Sequence, residues 1–234
     1  MKNQIELMVM LTWNDKTVNN ALEIFEECKD LPVQAWGFKN AGISEYDTVQ
    51  VIKAMKEAGK TTYYEIINRT PEAYEYGATT AERAKFDVMM GTKYDETLHN
   101  SLKQNKIDFW PAIGQPGCFY QGQHGVLLGE EHEILDEAKK LVTEIGCDGI
   151  TIPAFRYFKD GSALLKDLVK TIPGTPICVA GSVDSFDRME MLYDLGVAQF
   201  TMGSALFNKK YVPNGTFREN LEVVANFLVK KNMA

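Results

Sequence analysis

Eight short apolar runs, each followed by a stretch with helical spacing, restrict this chain to very few architectures. The runs are "IELMVMLT" (5–12), "VQAWGFK" (33–39), "TTYYEII" (61–67), "FDVMMG" (86–91), "IDFWPAI" (107–113), "DGITIPA" (148–154), "PICVA" (176–180) and "AQFTMG" (198–203). Strands that alternate with helices form parallel pairs with right-handed crossovers. Eight such units in 234 residues predict an α/β fold, a closed (β/α)8 TIM barrel, a fold that usually takes ~250 residues. An open doubly wound sheet is the competing arrangement. No linker, charge block or low-complexity tract interrupts the alternation, so residues 1–234 read as a single barrel domain.

The helical stretches carry their own boundary signals. In "EHEILDEAKKLVTEI" (131–145), Ile134, Leu135, Ala138, Leu141, Val142 and Ile145 mark one apolar face at steps of three and four. Thr70-Pro71 reads as a cap followed by proline at the first helical position. Asp184 with Asp187, and Thr216 with Glu219, have the spacing of capping boxes. Gly59, Gly146 and Gly196 stand where left-handed helix ends are expected.

Composition narrows the partners. The formal net charge is −7, which disfavours nucleic acid and anionic membrane surfaces because both repel an acidic protein. No segment approaches the ~18 consecutive apolar residues of a membrane span, and "MKNQIELMVMLTW" lacks the apolar length and small-residue cleavage site of a signal peptide. The four cysteines, Cys28, Cys118, Cys147 and Cys178, form no C-x-x-C pair; free thiols in a reducing cytoplasm are the expected state. Homo-oligomerisation is left open.

The connection after the fifth strand, "GQPGCFYQGQHGVLLG" (114–129), is glycine-rich and far longer than its counterparts. In a barrel it lies at the C-terminal face, where ligands bind, and it reads either as a lid or as a plain surface insertion. It carries His124, a candidate substrate contact.

Two strand ends share a pattern. "VAGSV" (179–183) ends the seventh run and "FTMGSAL" (200–206) ends the eighth. These two turns are neighbours in a barrel. Glycine lets backbone N–H groups approach an anion with no Cβ in the way, and a short helix opening at Ser204 would add further N–H groups. Gly181, Ser182, Gly203 and Ser204 are therefore the candidate phosphate-binding residues, in the place where barrels hold phosphate. The alternative is that both glycines only close tight turns. On the first reading, Gly203→Val should weaken phosphate binding and leave the fold intact.

Residues 146–210 resemble the ribulose-phosphate-binding barrel superfamily, which includes the phosphoribosyl isomerases of histidine and tryptophan biosynthesis, hexulose-phosphate synthase and related phosphosugar aldolases. "GVAQFTMGSALF" is similar to the eighth-strand segment of the histidine-pathway isomerases. The resemblance implies phosphate contacts at Gly181, Ser182, Gly203 and Ser204. It departs from those isomerases at Gly181-Ser182, where they usually have Gly-Gly. It departs again at the fifth strand, where "WPAIGQ" supplies no acid. Their internal half-barrel repeat has no counterpart here, since "INRTPE" and "MGTKYD" follow strands three and four.

Charged residues near the carboxyl ends of strands are the candidates for chemistry. Lys39 is in phase with Ala35 and Gly37, so it shares their side of the second strand, opposite Trp36 and Phe38. Glu65 lies inside the third strand, where a carboxylate needs a partner. Arg156 follows the sixth strand in phase with Ile150, Ile152 and Ala154, and Lys93 follows the fourth. Lys39 and Glu65 form a candidate acid–base pair for proton transfer beside a carbonyl, with Arg156 as an anion or oxyanion contact; the alternative is an ion pair that only fixes a barrel layer. Lys39 or Lys93 acting as a Schiff-base nucleophile, its pKa depressed by neighbouring charges, is a second reading. A catalytically silent barrel that binds a phosphometabolite is a third. Asn14, in phase with Thr12, is a candidate substrate contact, and Asp15 is expected to cap the first helix.

His99 and His132 fall on helical stretches, and no H-x-H, H-E-x-x-H or Asp-rich loop is present. No metal site and no cofactor is called for, although Glu65 with substrate oxygens leaves room for Mg²⁺. P-loop and dinucleotide fingerprints are absent. The expected protein is an isomerase or aldolase-type lyase acting on a small phosphorylated, sugar-like metabolite.

Overall fold

The computed structural model describes residues 4–66, 70–114 and 125–233. Its strands are β1 (Glu6–Met10), β2 (Ala35–Lys39), β3 (Thr61–Glu65), β4 (Val88–Lys93), β5 (Asp108–Ala112), β6 (Ile150–Ile152), β7 (Ile177–Val179) and β8 (Gln199–Met202). All pair in parallel, and β1 closes the ring against both β8 and β2. Helices α1 (Ala21–Cys28), α2 (Glu45–Glu57), α3 (Pro71–Ala84), α4 (Glu96–Gln104), α5 (Glu131–Lys139), α6 (Gly161–Thr171), α7 (Phe186–Leu195), α8 (Ser204–Phe207) and α9 (Phe217–Met233) follow in order. This is a closed (β/α)8 barrel.

The two-residue period of the strands sorts the core. Met8, Met10, Ala35, Tyr63, Val88, Met90, Trp110 and Cys178 fill the barrel interior. The alternate residues, among them Leu7, Val9, Trp36, Phe38, Tyr64, Met89 and Phe109, pack outward into a larger cluster with the helices. At the amino-terminal end of the interior, Gln199 Nε2 donates to Glu6 Oε2 at 2.6 Å and to Tyr63 Oη at 3.0 Å, which satisfies part of a polar layer beneath the apolar one.

Several local signals are realised as read. Thr70 caps α3 with Pro71 in its first turn. Thr216 and Glu219 exchange backbone-to-side-chain hydrogen bonds of 2.6 and 3.2 Å. Gly146 and Gly196 end their helices with φ of 86° and 77°. Stretch 131–145 is helical throughout, although its last turn, Lys140–Ile145, is wound as a π-helix.

Other readings are corrected. The cap of α7 is Ser185, which accepts from the Arg188 amide; Asp184 instead accepts from Arg188 Nη1 at 3.0 Å and Lys210 Nζ at 2.7 Å. The first run does not continue straight to Thr12. The chain bends after Met10, and Thr12–Trp13 pairs antiparallel with Lys16–Thr17 in a small hairpin over the barrel mouth. Its turn residues Asn14 and Asp15 have φ of 48° and 61°, the pair of left-handed conformations that a two-residue hairpin turn requires. Asp15 therefore caps nothing: the residue before α1 is Asn20. Thr17 Oγ1 donates to the Lys39 carbonyl at 2.7 Å and accepts from the Lys39 amide at 3.1 Å, pinning the hairpin to the end of β2.

Candidate active site at the barrel mouth

A cavity of about 240 Å³ opens at the carboxyl ends of the strands. Lys39 from β2 and Glu65 from β3 line it, with Arg156 beyond β6, Gly181 and Ser182 beyond β7, and Gly203 and Ser204 at the end of β8. The barrel thus brings together seven of the residues singled out in the sequence. Two others stay outside. Asn14 is exposed in the hairpin turn, and Lys93 is exposed at the end of β4; neither lines the cavity. His124 lies outside the described residues.

The deepest charged group is Lys39, buried to 8% exposure. Its ammonium lies 2.9 Å from Asp15 Oδ1 and 3.4 Å from Glu65 Oε1. Burial opposes the charge, but the carboxylates of Glu65 and Asp15 outweigh it and hold the lysine above its ordinary pKa. This reverses the expectation for a Schiff-base role. The neighbours of Lys39 are anions that keep it protonated, whereas an amine nucleophile must lose its proton. Glu65 reaches the mouth where β4 shifts register between Met90 and Lys93, which brings Gly91 against the glutamate side chain.

Arg156 arrives by a route different from the one its spacing predicts. Ile150 and Ile152 face the outer, helix-side core, and the interior-facing residue of β6 is Thr151, whose Oγ1 donates to the Trp110 carbonyl at 3.0 Å. After Pro153 the chain makes a single 3₁₀ turn, Ala154–Arg156, and this turn carries the guanidinium into the cavity. Burial lowers the Arg156 pKa, and the nearby Asp15 and Glu65 offset part of that cost. Arg156 Nε donates to Ser182 Oγ at 3.3 Å, which sets the cation directly on the seventh-strand turn.

That turn is left-handed at two consecutive residues, Gly181 (φ 73°) and Ser182 (φ 59°). A methyl group at Gly181 would run into the Arg156 guanidinium. The Gly181 amide is already engaged, donating to Thr201 Oγ1 at 2.9 Å, so it is not one of the bare amides the sequence suggested. Among the described residues, the amides of Ser182, Ser204 and Ala205 make no hydrogen bond. Gly203 is held by a close approach: a Cβ there would lie 2.7 Å from the Thr12 carbonyl oxygen and 2.8 Å from that of Met10. It lets β8 pass the β1 end, so a side chain at Gly203 is expected to strain the fold as well as the turn.

At the rim, Asp184 accepts from Lys210 and Arg188, and the Lys210 hydrogen bond is the main reason its carboxyl is held below the usual range. Trp13 Nε1 donates to Asn208 Oδ1 at 3.1 Å, and the Trp13 ring stacks on Phe207, tying the hairpin to α8. Asp15 and Thr12 are cavity residues that spacing alone missed. The available signal was "TWNDKT", two turn-forming residues between strand formers. Among the described residues, no group of three or more His, Cys, Asp or Glu side chains is arranged for a metal ion; the two carboxylates at the mouth have Lys39 between them.

No family model and no curated protein matches the sequence. Solved structures do share its shape. Orotidine 5′-phosphate decarboxylase from Pyrococcus horikoshii OT3 superposes with a TM-score of 0.67 at 13% identity, covering 95% of this chain and 99% of that one. The orotidine 5′-monophosphate decarboxylase of Methanocaldococcus jannaschii, complexed with inhibitor BMP, gives 0.65 at 14% identity, covering 97% and 99%. The YdjI aldolase from Escherichia coli K12 gives 0.61 at 13% identity, covering 98% and 90%. The likeness is one of fold, the closed (β/α)8 barrel that the alternation of strands and helices predicts. No helix among the described residues is long and apolar enough to cross a membrane.

Proposed function

We propose that this barrel is an enzyme that binds a small phosphorylated, sugar-like carbonyl compound and moves a proton on the carbon beside the carbonyl. One observation carries the reading: the Lys39 ammonium, held between Asp15 and Glu65, shares a single cavity with an Arg156–Ser182 turn suited to an anion.

The chemistry follows from what each group can do. The phosphate docks against the Arg156 guanidinium, the Ser182 hydroxyl and the open amides of Ser182, Ser204 and Ala205. This anchoring turns the carbonyl end toward Lys39. Glu65 removes the proton from the carbon next to the carbonyl. The electron pair moves onto the carbonyl oxygen, and the fixed Lys39 ammonium stabilises the enolate that forms. Asp15 holds Lys39 in place and keeps it cationic. Transfer of the α-hydroxyl proton to the enolate oxygen, and return of the carbon-bound proton from Glu65 to the former carbonyl carbon, complete an isomerisation. In the lyase direction Glu65 takes the proton of a β-hydroxyl group, the carbon–carbon bond breaks, and its electrons enter the same enolate. The fold neighbours include decarboxylases and an aldolase, which supports an enzyme of this general type.

The test is solvent exchange. The protein is incubated in D₂O with dihydroxyacetone phosphate or ribulose 5-phosphate, and loss of the α-proton signal is followed by NMR. The expected result is wash-out with at least one compound, abolished in Glu65→Gln while that compound still protects the variant against thermal unfolding. Binding without wash-out across a panel of phosphoketoses would make the barrel a binder and not an enzyme.

A further inference from the structure

Arg188, in the first turn of α7, does not line the cavity. Its guanidinium nevertheless touches both segments that build the anion site. Nη1 donates to the Ser182 carbonyl, on the seventh-strand turn, and to Asp184 Oδ1 at 3.0 Å. The same guanidinium lies over the Phe155 ring, 4.8 Å from its centroid. Phe155 is the middle residue of the 3₁₀ turn that ends at Arg156. Arg188 is itself held in place. Its amide donates to Oγ of the α7 cap Ser185 at 3.3 Å, and Lys210 fixes the other oxygen of Asp184 at 2.7 Å.

The seventh-strand turn needs such support. Ser182 is left-handed, with φ 59°. A residue with a β-carbon keeps that conformation only where its surroundings hold it. Two contacts hold Ser182: Arg156 Nε donates to its hydroxyl at 3.3 Å, and Arg188 donates to its carbonyl. Without Arg188 the turn is free to relax to an ordinary φ, which reorients the Ser182 amide and hydroxyl and loosens the tie to Arg156. An incoming anion must then order the turn and the arginine as it binds, and affinity falls by that cost. The residue type fits the task. A planar guanidinium presents several N–H groups at its edge and a flat face to a ring, whereas a lysine ammonium is a single point of charge.

We infer that Arg188 is a positioning residue for the anion site: from outside the cavity wall it locks the Ser182 turn to the Arg156 turn, so that the two meet an anion as one preorganised surface. The inference rests on the anion-site reading above and adds what keeps that site in shape. Arg188 acts through Ser182 and Arg156, and not by its charge alone.

The experiment has two arms, each run on the wild type, Arg188→Met and Arg188→Lys. The first is amide hydrogen exchange by NMR without ligand. The Gly181 amide, bonded to Thr201 Oγ1 at 2.9 Å, reports on the turn, and the Ala180 amide, bonded to the Ile152 carbonyl at 2.9 Å, reports on the sheet beside it. Protection at Gly181 is expected to fall about tenfold in both variants, the worth of one hydrogen bond to a charged group, with Ala180 unchanged. The second arm titrates inorganic phosphate by calorimetry, and both variants are expected to lose about tenfold in affinity. Wild-type protection at Gly181 in Arg188→Met would overturn the inference. So would equal falls at Gly181 and Ala180, which would mark a loss of global stability only. Wild-type phosphate affinity in Arg188→Lys would reduce the residue to a source of charge and overturn it as well. If inorganic phosphate does not bind the wild type, the anion-site reading fails, and the exchange at Gly181 still decides whether Arg188 holds the turn.

Discussion

Lys39 Nζ lies 2.9 Å from Oδ1 of Asp15, a residue 24 positions earlier that reaches it from the turn of the mouth hairpin. The contact makes Lys39 a cation bound on two sides, since Glu65 stands 3.4 Å from the same nitrogen. The consequence for stability has a definite sign. The folded protein holds the Lys39 pKa above its ordinary value. The stabilisation is thus complete below about pH 10.4, lysine's unperturbed value, and is lost as pH climbs through the higher folded value. Lys39→Met should lower stability by about 3–5 kcal/mol at pH 8, since it leaves two carboxylates without their cation. Urea unfolding at pH 8 and pH 11 should show the gap between wild type and variant narrowing at the higher pH.

The same charge state predicts the outcome of reductive trapping. Borohydride added with phosphoketoses or phosphoaldehydes should leave Lys39 unmodified, because a protonated amine does not attack a carbonyl. Peptide mass mapping reads the result directly, and a reduced adduct on Lys39 would contradict the electrostatics described here.

The two turn glycines should separate in their effects. Gly203→Val drives a side chain into the carbonyls of Thr12 and Met10, so it should destabilise the fold by about 1–3 kcal/mol or more. Gly181→Ala meets a flexible guanidinium and not backbone, and adds only the ~1–2 kcal/mol of a left-handed alanine. It should displace Arg156 and weaken inorganic phosphate binding in a protein that still folds. Chemical denaturation and phosphate titration of the two variants test this together.

Three thiols are predicted to be silent in the native state. Burial pushes Cys28 up to about 11 and Cys147 up to about 12, and it raises Cys178 further. All three are buried and unpaired, and it is the thiolate that reacts. In a Cys118→Ser background, a thiol-reactive dye should label none of them until denaturant is added. Rapid labelling under native conditions would show that the barrel opens locally.

The sequence exposed Lys39 and Glu65 because a strand has a strict two-residue period. Ala35 and Gly37 on one side, with Trp36 and Phe38 on the other, leave Lys39 a single direction to point. The spacing that points Arg156 toward the cavity does not hold. The phase set by Ile150 and Ile152 belongs to the outer face, and a 3₁₀ turn that periodicity cannot register swings the arginine inward. Asp15 was hidden because the apolar run of β1 continues in sequence past the bend, and only the left-handed pair Asn14–Asp15 reveals the hairpin. The α7 cap was decided by partners distant in sequence. Asp184 and Ser185 are both good caps, but Lys210 draws Asp184 away and leaves the role to Ser185.

The balance of charge at the mouth bears on how quickly the cavity empties. Lys39 and Arg156 are matched by Asp15 and Glu65, and Lys210 at the rim by Asp184. Before anything enters, the wall is close to neutral. An arriving dianion finds no surplus of cations and leaves the occupied mouth about two charges negative. On the proposed function, that uncompensated charge would favour escape of a phosphorylated ligand, and with the chain's net charge of −7 its capture should quicken as added salt screens the repulsion.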